Sequence, residues 1–384
     1  MRYSQFKNVC IFAALLGTAI AASPDSPRYT LADLGTLGGS FTGGIAVNAR
    51  AQATGDSATP GDAAVHAFLY SSGLTDLGTL GGSYSYAEAL NGIGQVTGFA
   101  ATPGDAASHA FLYSDGKIVD LGTLGGSFSG ASTINLFGQV TGWAYLAGDA
   151  TYHAYLYTNR VMTDLGTLGG AYSQGIAVND RSHVTGVSTT SGDQASHAFL
   201  YANGKMIDLG TLGGSNSGGT AINIFDQVTG SAYTAGNAAY HAFLYSNGKM
   251  TDLGTLKGSS NSFPVAMNAL GQVTGNTTTM DETPVHAFLY SNGGMSDLGT
   301  LGGSFSSASA INVHGQVTGN ASTAGDAAYH AFLYRPGIGM IDLNNLVSSP
   351  GPGFYLTGAS YINDNGLILA GGRDNHTYLL KPRE

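Results

Sequence analysis

Eight histidines recur at a nearly constant spacing, and histidine is both a common metal ligand and a proton carrier near neutral pH. They are His66, His109, His153, His197, His241, His286, His330 and His376. In most units an acidic residue stands four positions earlier, as Asp149 does before His153, which is a residue pair that divalent metals accept. Asn237 replaces that acid in the fifth unit, so the pattern is not kept. We expect each imidazole to hydrogen-bond a backbone or hydroxyl group in its own unit, and no metal site is predicted.

A second series of ionisable residues opens the motif DLGTLGG. Its aspartates are Asp33, Asp76, Asp120, Asp164, Asp208, Asp252 and Asp297, with a decayed copy at Asp342. We expect each carboxylate to accept hydrogen bonds from the glycine-rich turn that follows it. The motif lacks the GK[ST] sequence of a phosphate-binding P-loop and no helical pattern follows it, so phosphate binding is not predicted.

Residues that break the repeat are the places to search for catalysis, and they are few. They are Arg50, Glu88, Arg160, Arg181, His183, Lys257, His314, Arg335, Arg373 and Asp374. The chain has only three glutamates, and it contains neither GxSxG nor HExxH. We predict no catalytic residue. Trp143 is expected to pack within the protein, and His183 and His314 are expected to be exposed in tight turns.

Aromatic residues among serines and threonines are the best candidates for binding. They are Phe41, Tyr84, Tyr86, Phe128, Tyr145, Tyr172, Tyr233 and Phe305, with Phe263 beside them. Rings surrounded by small polar groups suit contact with a carbohydrate, a peptide or a partner protein. The alternative is that these rings pack between neighbouring repeat units.

Three landmarks recur together and predict the elements that carry these residues. DLGTLGG, HAFLY and an Asn followed by roughly GQVTG each occur eight times, with spacings of 43 to 45 residues for the first. Asn-Gly and Asp-Gly pairs, such as Asn203-Gly204, mark two-residue hairpin turns. Each unit therefore reads as four short antiparallel strands, as in a propeller blade. We predict an all-β fold, an eight-bladed β-propeller.

The order of the motifs at the two ends of the chain favours a closed ring. The sequence Tyr29 to Leu34 resembles a fourth strand with no third strand before it, and His376 to Leu380 resembles a third strand with no fourth strand after it. Pairing the two completes the eighth blade. A β-solenoid is the alternative fold. In the ring, the TPGDAAS-type and GGS[FY]S-type loops share one face, here called the long-loop face, and the short turns share the opposite turn face.

Composition and the first residues indicate export. Residues 1–21 have a basic start, an apolar stretch and an Ala-Ile-Ala cleavage signature, as in a secretory signal. Residues 22–28 are read as a linker and 29–382 as the propeller, located outside the cell or in the periplasm. The only cysteine, Cys10, lies in the cleaved segment, so no disulfide is expected.

Charged residues are 10% of the chain and the net charge is −10. This composition argues against binding to nucleic acids and to anionic membranes, and no membrane span is expected.

The repeated His-Ala-Phe triplet after a GDAA-type loop, with DLGTLGG and GQVTG, resembles the HAF family of probable extracellular bacterial repeats over Tyr29 to Pro382. The resemblance implies an exported repeat scaffold and brings no reaction with it. The predicted function is a secreted, non-enzymatic scaffold that binds a cell-surface glycan, a peptide or a protein through the long-loop face. A polysaccharide hydrolase or lyase with an axial site is the alternative. No cofactor is expected, although calcium in the GDAA loops is an open possibility.

Overall fold

The computed structural model describes residues 28–278, 285–349 and 351–383, and it confirms the predicted architecture. Eight four-stranded antiparallel sheets follow one another, and each is one blade of a β-propeller. The predicted signal segment, residues 1–21, and Cys10 lie outside the described residues. Within the described ranges, no helix has the length and apolar character needed to cross a membrane.

The first strand of each blade is the innermost, because successive first strands pack against one another around the ring. The first strands are β2 (Thr42–Val47), β6 (Ser85–Leu90), β10 (Gly125–Ile134), β14 (Gly169–Val178), β18 (Gly213–Ile222), β22 (Asn261–Met267), β26 (Gly302–Ile311) and β30 (Leu356–Ile362). The second strands are β3 (Ala53–Ala58), β7 (Val96–Ala101), β11 (Val140–Leu146), β15 (Val184–Thr190), β19 (Val228–Thr234), β23 (Val273–Thr278), β27 (Val317–Thr323) and β31 (Ile368–Gly372).

The HAFLY motif forms the third strand, and the DLG motif ends the outermost fourth strand. The third strands are β4 (Val65–Tyr70), β8 (Ser108–Ser114), β12 (Tyr152–Thr158), β16 (Ser196–Ala202), β20 (Tyr240–Ser246), β24 (His286–Ser291), β28 (Tyr329–Arg335) and β32 (Thr377–Pro382). The fourth strands are β5 (Leu74–Asp76), β9 (Lys117–Asp120), β13 (Val161–Asp164), β17 (Lys205–Asp208), β21 (Lys249–Asp252), β25 (Gly294–Asp297), β29 (Gly339–Asp342) and, for the eighth blade, β1 (Tyr29–Asp33).

The two ends of the chain close the ring. β1 pairs antiparallel with β32, with Leu31 opposite Leu380, so the eighth blade has the sheet order β1-β32-β31-β30. Tyr29 packs in one apolar cluster with Leu356 and Leu380 of the same blade. The predicted closure is therefore confirmed, and the solenoid alternative is wrong. Closure also pairs the outer edge of β32, which would otherwise be open to association with another chain.

Each blade is held to the next by a layer of apolar side chains. The Phe of HAF is fully buried at every blade that has it, and the rings of Phe243 and Phe332 lie against the VTG glycines Gly230 and Gly319. A Cβ on Gly230 would stand 2.0 Å from the carbonyl oxygen of Gly218 and 2.8 Å from the Phe243 ring. The repeated glycine thus allows the first strand to approach the second while the ring fills the space beside them.

One predicted loop is partly a strand. In the third, fourth, fifth and seventh blades the first strand already begins in the GGS segment, as β10 does at Gly125, which pairs with Leu146. Gly125 has a φ of +104°, a conformation that residues with a side chain rarely adopt, and the register is interrupted before Ser129. The glycines let the chain bulge and still continue the sheet, which a reading of Gly and Ser as loop residues cannot foresee.

Candidate ligand-binding site on the inner wall

The eight repeated histidines make one kind of contact, and it lies on the outer part of each blade. The Nδ1 atom of His153 lies 2.8 Å from a carboxylate oxygen of Asp164, the aspartate of the DLG motif in the same blade. The same pair forms in every blade, and in the eighth it joins His376 to Asp33 across the closure, at 3.0 Å. The histidines are bonded within their own blades as expected, but the expected backbone or hydroxyl partner is wrong. The separation of 10 to 12 residues between His and Asp in seven blades is the signal in the sequence that identifies the pair.

The aspartates four residues before the histidines do not join them. Asp149 instead accepts hydrogen bonds from the backbone N–H of Ser127, at 2.6 Å, and from its hydroxyl, at 2.7 Å. These bonds hold the pKa of Asp149 below its usual value. Across the ranges that the structure describes, no three His, Cys, Asp or Glu side chains are grouped closely enough to hold a metal ion. The DLG aspartates bond their own turns as predicted, with Asp164 accepting from Gly166 N–H at 2.7 Å.

An asparagine belt, which the sequence reading missed, connects the blades around the turn face. The side chain of Asn135 donates to Gln139 at 2.6 Å and to the backbone carbonyl of Asn179 in the next blade at 2.9 Å. Its Oδ1 accepts from the backbone N–H groups of Phe137 and Gln139. Among the described residues the bond from blade to blade occurs seven times, donated by Asn48, Asn91, Asn135, Asn179, Asn268, Asn312 and Asn363. The belt includes the closure, since Asn363 donates to Asn48.

One turn on this face departs from the expectation for exposed residues. His183 is buried, and its Nδ1 lies 2.7 Å from Asp226 of the next blade. Arg181 binds the second oxygen of the same carboxylate at 2.8 Å. The prediction of an exposed His183 is therefore wrong, because Asp226 replaces the usual glycine of the neighbouring turn and brings an acceptor there.

The inner wall, in contrast, differs from blade to blade. Each first strand has a register shift that leaves one residue without a partner on the second strand. These residues are Ile45, Glu88, Ser132, Ile176, Thr220, Val265, Ser309 and Ser360. A β-bulge redirects the side chains near it, and here it occurs on the strands that surround the axis.

A cavity of about 370 Å³ opens in this wall between the second, third and fourth blades. Its lining includes Glu88, Ser132 and Ile176 from three bulges, together with Phe99, Trp143 and Gln174. It therefore combines apolar ring faces with a carboxylate, an amide and a hydroxyl. This mixture is typical of pockets that orient a polar ligand over an aromatic surface.

An aromatic strip continues from the cavity toward the long-loop face. The ring of Trp143 lies 5.8 Å from that of Tyr145 and 6.1 Å from that of Tyr152, centre to centre. Tyr152 is in turn 5.1 Å from Tyr172 of the fourth blade. Rings at these distances attract one another and form a stable surface. Trp143 thus does pack, as expected, but it packs at the edge of the cavity.

The other predicted aromatics are distributed around the same face and largely pair with one another. Tyr84 lies 5.8 Å from Tyr86, and Tyr86 lies 5.2 Å from Phe99. The remaining pairs are Phe128 with Tyr145, Tyr233 with Tyr240, Phe263 with Tyr240 and Phe305 with Tyr329. Phe41 is half-buried at the start of the first blade. The structure brings Tyr145 and Tyr172 into one strip, while Tyr233 and Phe305 lie in other blades.

Two carboxylates from neighbouring blades approach each other beside this cavity. Asp56 accepts a hydrogen bond from the backbone N–H of Ala87 in the second blade at 2.8 Å. Its pKa is raised to about 7, chiefly by burial; the hydrogen bond from Ala87 lowers the pKa and the nearby Glu88 raises it. Burial also raises the pKa of Glu88. The repeat pattern does not single out Asp56, because its position varies between blades, from Asp56 through Phe99 and Trp143 to the asparagines of the sixth and seventh blades.

Asn276 shows what the Asp56 position does in the framework. It is the equivalent residue of the sixth blade, and its Oδ1 accepts from the backbone N–H of Ala308 in the seventh blade at 2.8 Å. An uncharged amide thus makes the same bond from blade to blade. Asp56 therefore acts as a structural link, and a protonated carboxyl group serves this purpose as well as an amide does.

Comparison with known proteins supports the fold and goes no further. No family model matches the sequence, and no curated protein matches it. Among solved structures, the chain is similar to a puromycin-hydrolyzing peptidase of Mycobacterium tuberculosis (TM-score 0.50, 10% identity, 90% of this chain and 61% of that chain). It is also similar to virginiamycin B lyase of Staphylococcus aureus (0.46, 11%, 92% and 100%) and to the propeller domain of the Trilobed protease of Pyrococcus furiosus (0.46, 7%, 67% and 84%). At such low identities the likeness concerns the β-propeller fold alone.

Proposed function

We propose that this chain is a carbohydrate-binding propeller that is exported from the cell and holds its ligand at the inner wall of the second to fourth blades. The observation that supports it is the cavity around Trp143, which continues into the strip of Tyr145, Tyr152 and Tyr172. The segment at residues 1–21 and the resemblance to HAF repeats support export.

The chemistry of the lining favours a sugar over a peptide or a protein surface. A sugar ring presents C–H groups on its faces and hydroxyls at its edge. Trp143 and Phe99 offer apolar ring faces, while Gln174, Ser132 and Glu88 offer donors and acceptors for hydroxyls. Because the lining holds a carboxylate and no basic side chain, a neutral or cationic sugar fits better than an acidic one.

Trp143 provides a direct test, because it is the only tryptophan in the chain. Titration with cellohexaose, xylohexaose and chitohexaose is expected to change its fluorescence for at least one of them. Trp143→Ser places there the residue that the fifth blade carries at Ser231, and calorimetry is expected to show about a tenfold or greater loss of affinity.

Matched tyrosines provide the control. Tyr152→Ala removes a ring of the strip, whereas Tyr240→Ala removes the equivalent ring of the fifth blade. The first is expected to weaken binding and the second to leave it unchanged. Equal losses in both variants, or no binding of any of the three oligosaccharides, would contradict the proposed site.

A hydrolase or lyase is the second candidate, and the Asp56–Glu88 pair is the specific observation in its favour. With a pKa of about 7, Asp56 is partly protonated at neutral pH, and the carboxylate of Glu88 lies close enough to raise that pKa. One acid and one base of this kind are what glycoside hydrolysis uses. Release of reducing ends from a bound polysaccharide, abolished by Glu88→Gln with binding retained, would support this candidate. Binding without any turnover would favour the non-enzymatic one.

A further inference from the structure

Basic and acidic residues of this protein lie mainly at opposite ends of the propeller axis. The net charge of the chain does not reveal this separation. Ten of the twelve basic residues in the described ranges lie at the turn face, at the start of fourth strands, the end of third strands or in the turns between strands. They are Arg28, Arg50, Lys117, Arg160, Arg181, Lys205, Lys249, Arg335, Lys381 and Arg383. Fourteen of the twenty acidic residues in those ranges lie at the opposite, long-loop face, mainly the DLG and GDAA aspartates.

Only four acidic residues of the described ranges share the turn face with these ten basic ones: Asp115 is exposed in a hairpin turn, and the other three bond neighbouring turns. Asp180 accepts from the backbone N–H of Leu136 at 3.0 Å, and Asp364 accepts from that of Val313 at 2.8 Å. Asp226 binds Arg181 and His183. The exposed lysines of this face are therefore left with little local compensation.

The same face carries the most exposed apolar side chains of the described residues. Phe137 is 74% exposed, Leu270 67% and Phe225 65%, and all three lie in turns between first and second strands. Leu136, Ile93 and Ile224 accompany them in the same set of turns. Because these turns join the two innermost strands, the apolar tips of the second, third, fifth and sixth blades lie close to the axis. The lysines that open the fourth strands lie farther from the axis, at the rim.

We propose that the turn face docks on an anionic lipid bilayer, with the apolar tips of these four blades inserted among the headgroups and the basic rim bound to their charges. Apolar tips at one end of a disc fit a flat surface, and each buried aromatic adds to an attraction that basic residues supply over a longer range. The acidic long-loop face would be repelled by the same bilayer. Docking therefore has one orientation, with the cavity and the aromatic strip directed away from the lipid.

A net charge of −10 would argue against binding to an anionic membrane if the charges were spread evenly over the surface. Here they are divided between two opposite faces. At 0.15 M salt, charges more than about 8 Å apart in water are largely screened. The turn face and the long-loop face lie at opposite ends of strands that are up to ten residues long. A bilayer at one face is therefore exposed chiefly to the charges of that face.

The test is co-sedimentation of residues 22–384 with phospholipid vesicles. Binding is expected for vesicles with equal parts of phosphatidylglycerol and phosphatidylcholine, and not for phosphatidylcholine alone, and high salt is expected to weaken it. Phe137→Ser with Phe225→Ser is expected to lower the partition coefficient by about tenfold or more. Each of Lys117→Gln, Lys205→Gln and Lys249→Gln is expected to lower it by about fivefold.

Phe263→Ser with Phe305→Ser, at the long-loop face, is the matched control and should bind vesicles as the unmodified chain does; thermal melting checks that each variant folds. Equal binding to both kinds of vesicle, or to neither, would overturn the proposal. So would concentration-dependent self-association that the Phe137 and Phe225 substitutions abolish, because the turn face would then be covered by a second copy of the chain.

Discussion

The framework is nearly the same in all eight blades, whereas the inner wall differs from blade to blade. In the framework, the His–Asp pair and the asparagine belt repeat in nearly every blade with the same atoms at the same distances. At the inner wall, the bulge position changes from Glu88 to Ser132 to Ile176 in three successive blades. A side chain that bonds its neighbours is constrained by them, whereas a side chain at a bulge of the inner wall is free to differ from blade to blade. The variable wall is therefore where binding is to be sought.

Removing the closure strand is the strongest way to break the framework. Deletion of residues 29–33 takes β1 from the eighth blade, leaves the backbone groups of β32 unpaired and removes Asp33 from His376. We expect loss of the cooperative melt or aggregation through the exposed edge. The measurement is calorimetry with light scattering. A stable monomer with an unchanged melt would contradict the closure as a structural requirement.

Single substitutions in the asparagine belt and at the inner wall compare how much each region contributes to stability. Asn135→Ala removes four hydrogen bonds from a buried site and leaves the carbonyl of Asn179 without its donor, so we expect a loss of about 3 kcal/mol in the free energy of unfolding. Ser132→Ala, three residues earlier on the inner wall, is expected to cost less than about 0.5 kcal/mol. Chemical denaturation of both variants measures the difference, and similar losses would contradict the distinction between the two regions.

Asp56 belongs to both regions, because it bonds the next blade and also lies beside the cavity of the inner wall. Its pKa rises from 3.8 in the unfolded chain to about 7 in the fold, so the folded protein retains a proton that the unfolded chain has released. The contribution of Asp56 to the free energy of unfolding is therefore present in full below pH 4 and decreases as the pH rises from 4 to 7. Above pH 7 it does not change further. Asp56→Asn should remove this dependence and stabilise the protein by about 2–4 kcal/mol at pH 8.

The control for this prediction is the neighbouring carboxylate. Glu88→Gln removes the charge that helps to raise the pKa of Asp56, so the decrease in stability should move to lower pH. Denaturant unfolding between pH 4 and pH 8 measures both effects. An unfolding free energy of Asp56→Asn that follows the same pH curve as the unmodified chain would contradict the assigned pKa.

The sequence reading predicted the fold well and the site only in part. The repeat spacing and the Asn-Gly turns gave the blades, their number and the pairing of the two chain ends, because these features are local or strictly periodic. Tyr145 and Tyr172 were correctly placed on the face that carries the long loops. The pattern predicts for Trp143 only that it packs and does not single out Asp56, because a repeat identifies the residues that recur.

The chain's own residues thus determined that each unit folds as four strands, since turn-forming pairs and apolar third strands act within about 44 residues of chain. Only the closed ring decided which residues meet. Asn135 reaches the carbonyl of Asn179, 44 residues further along, and Glu88, Trp143 and Gln174 surround one cavity from three blades. The ring also divides the basic and acidic residues, which alternate along the chain, between two opposite faces. Distances across blades depend on the angle between successive sheets, and no local pattern in the sequence contains that angle.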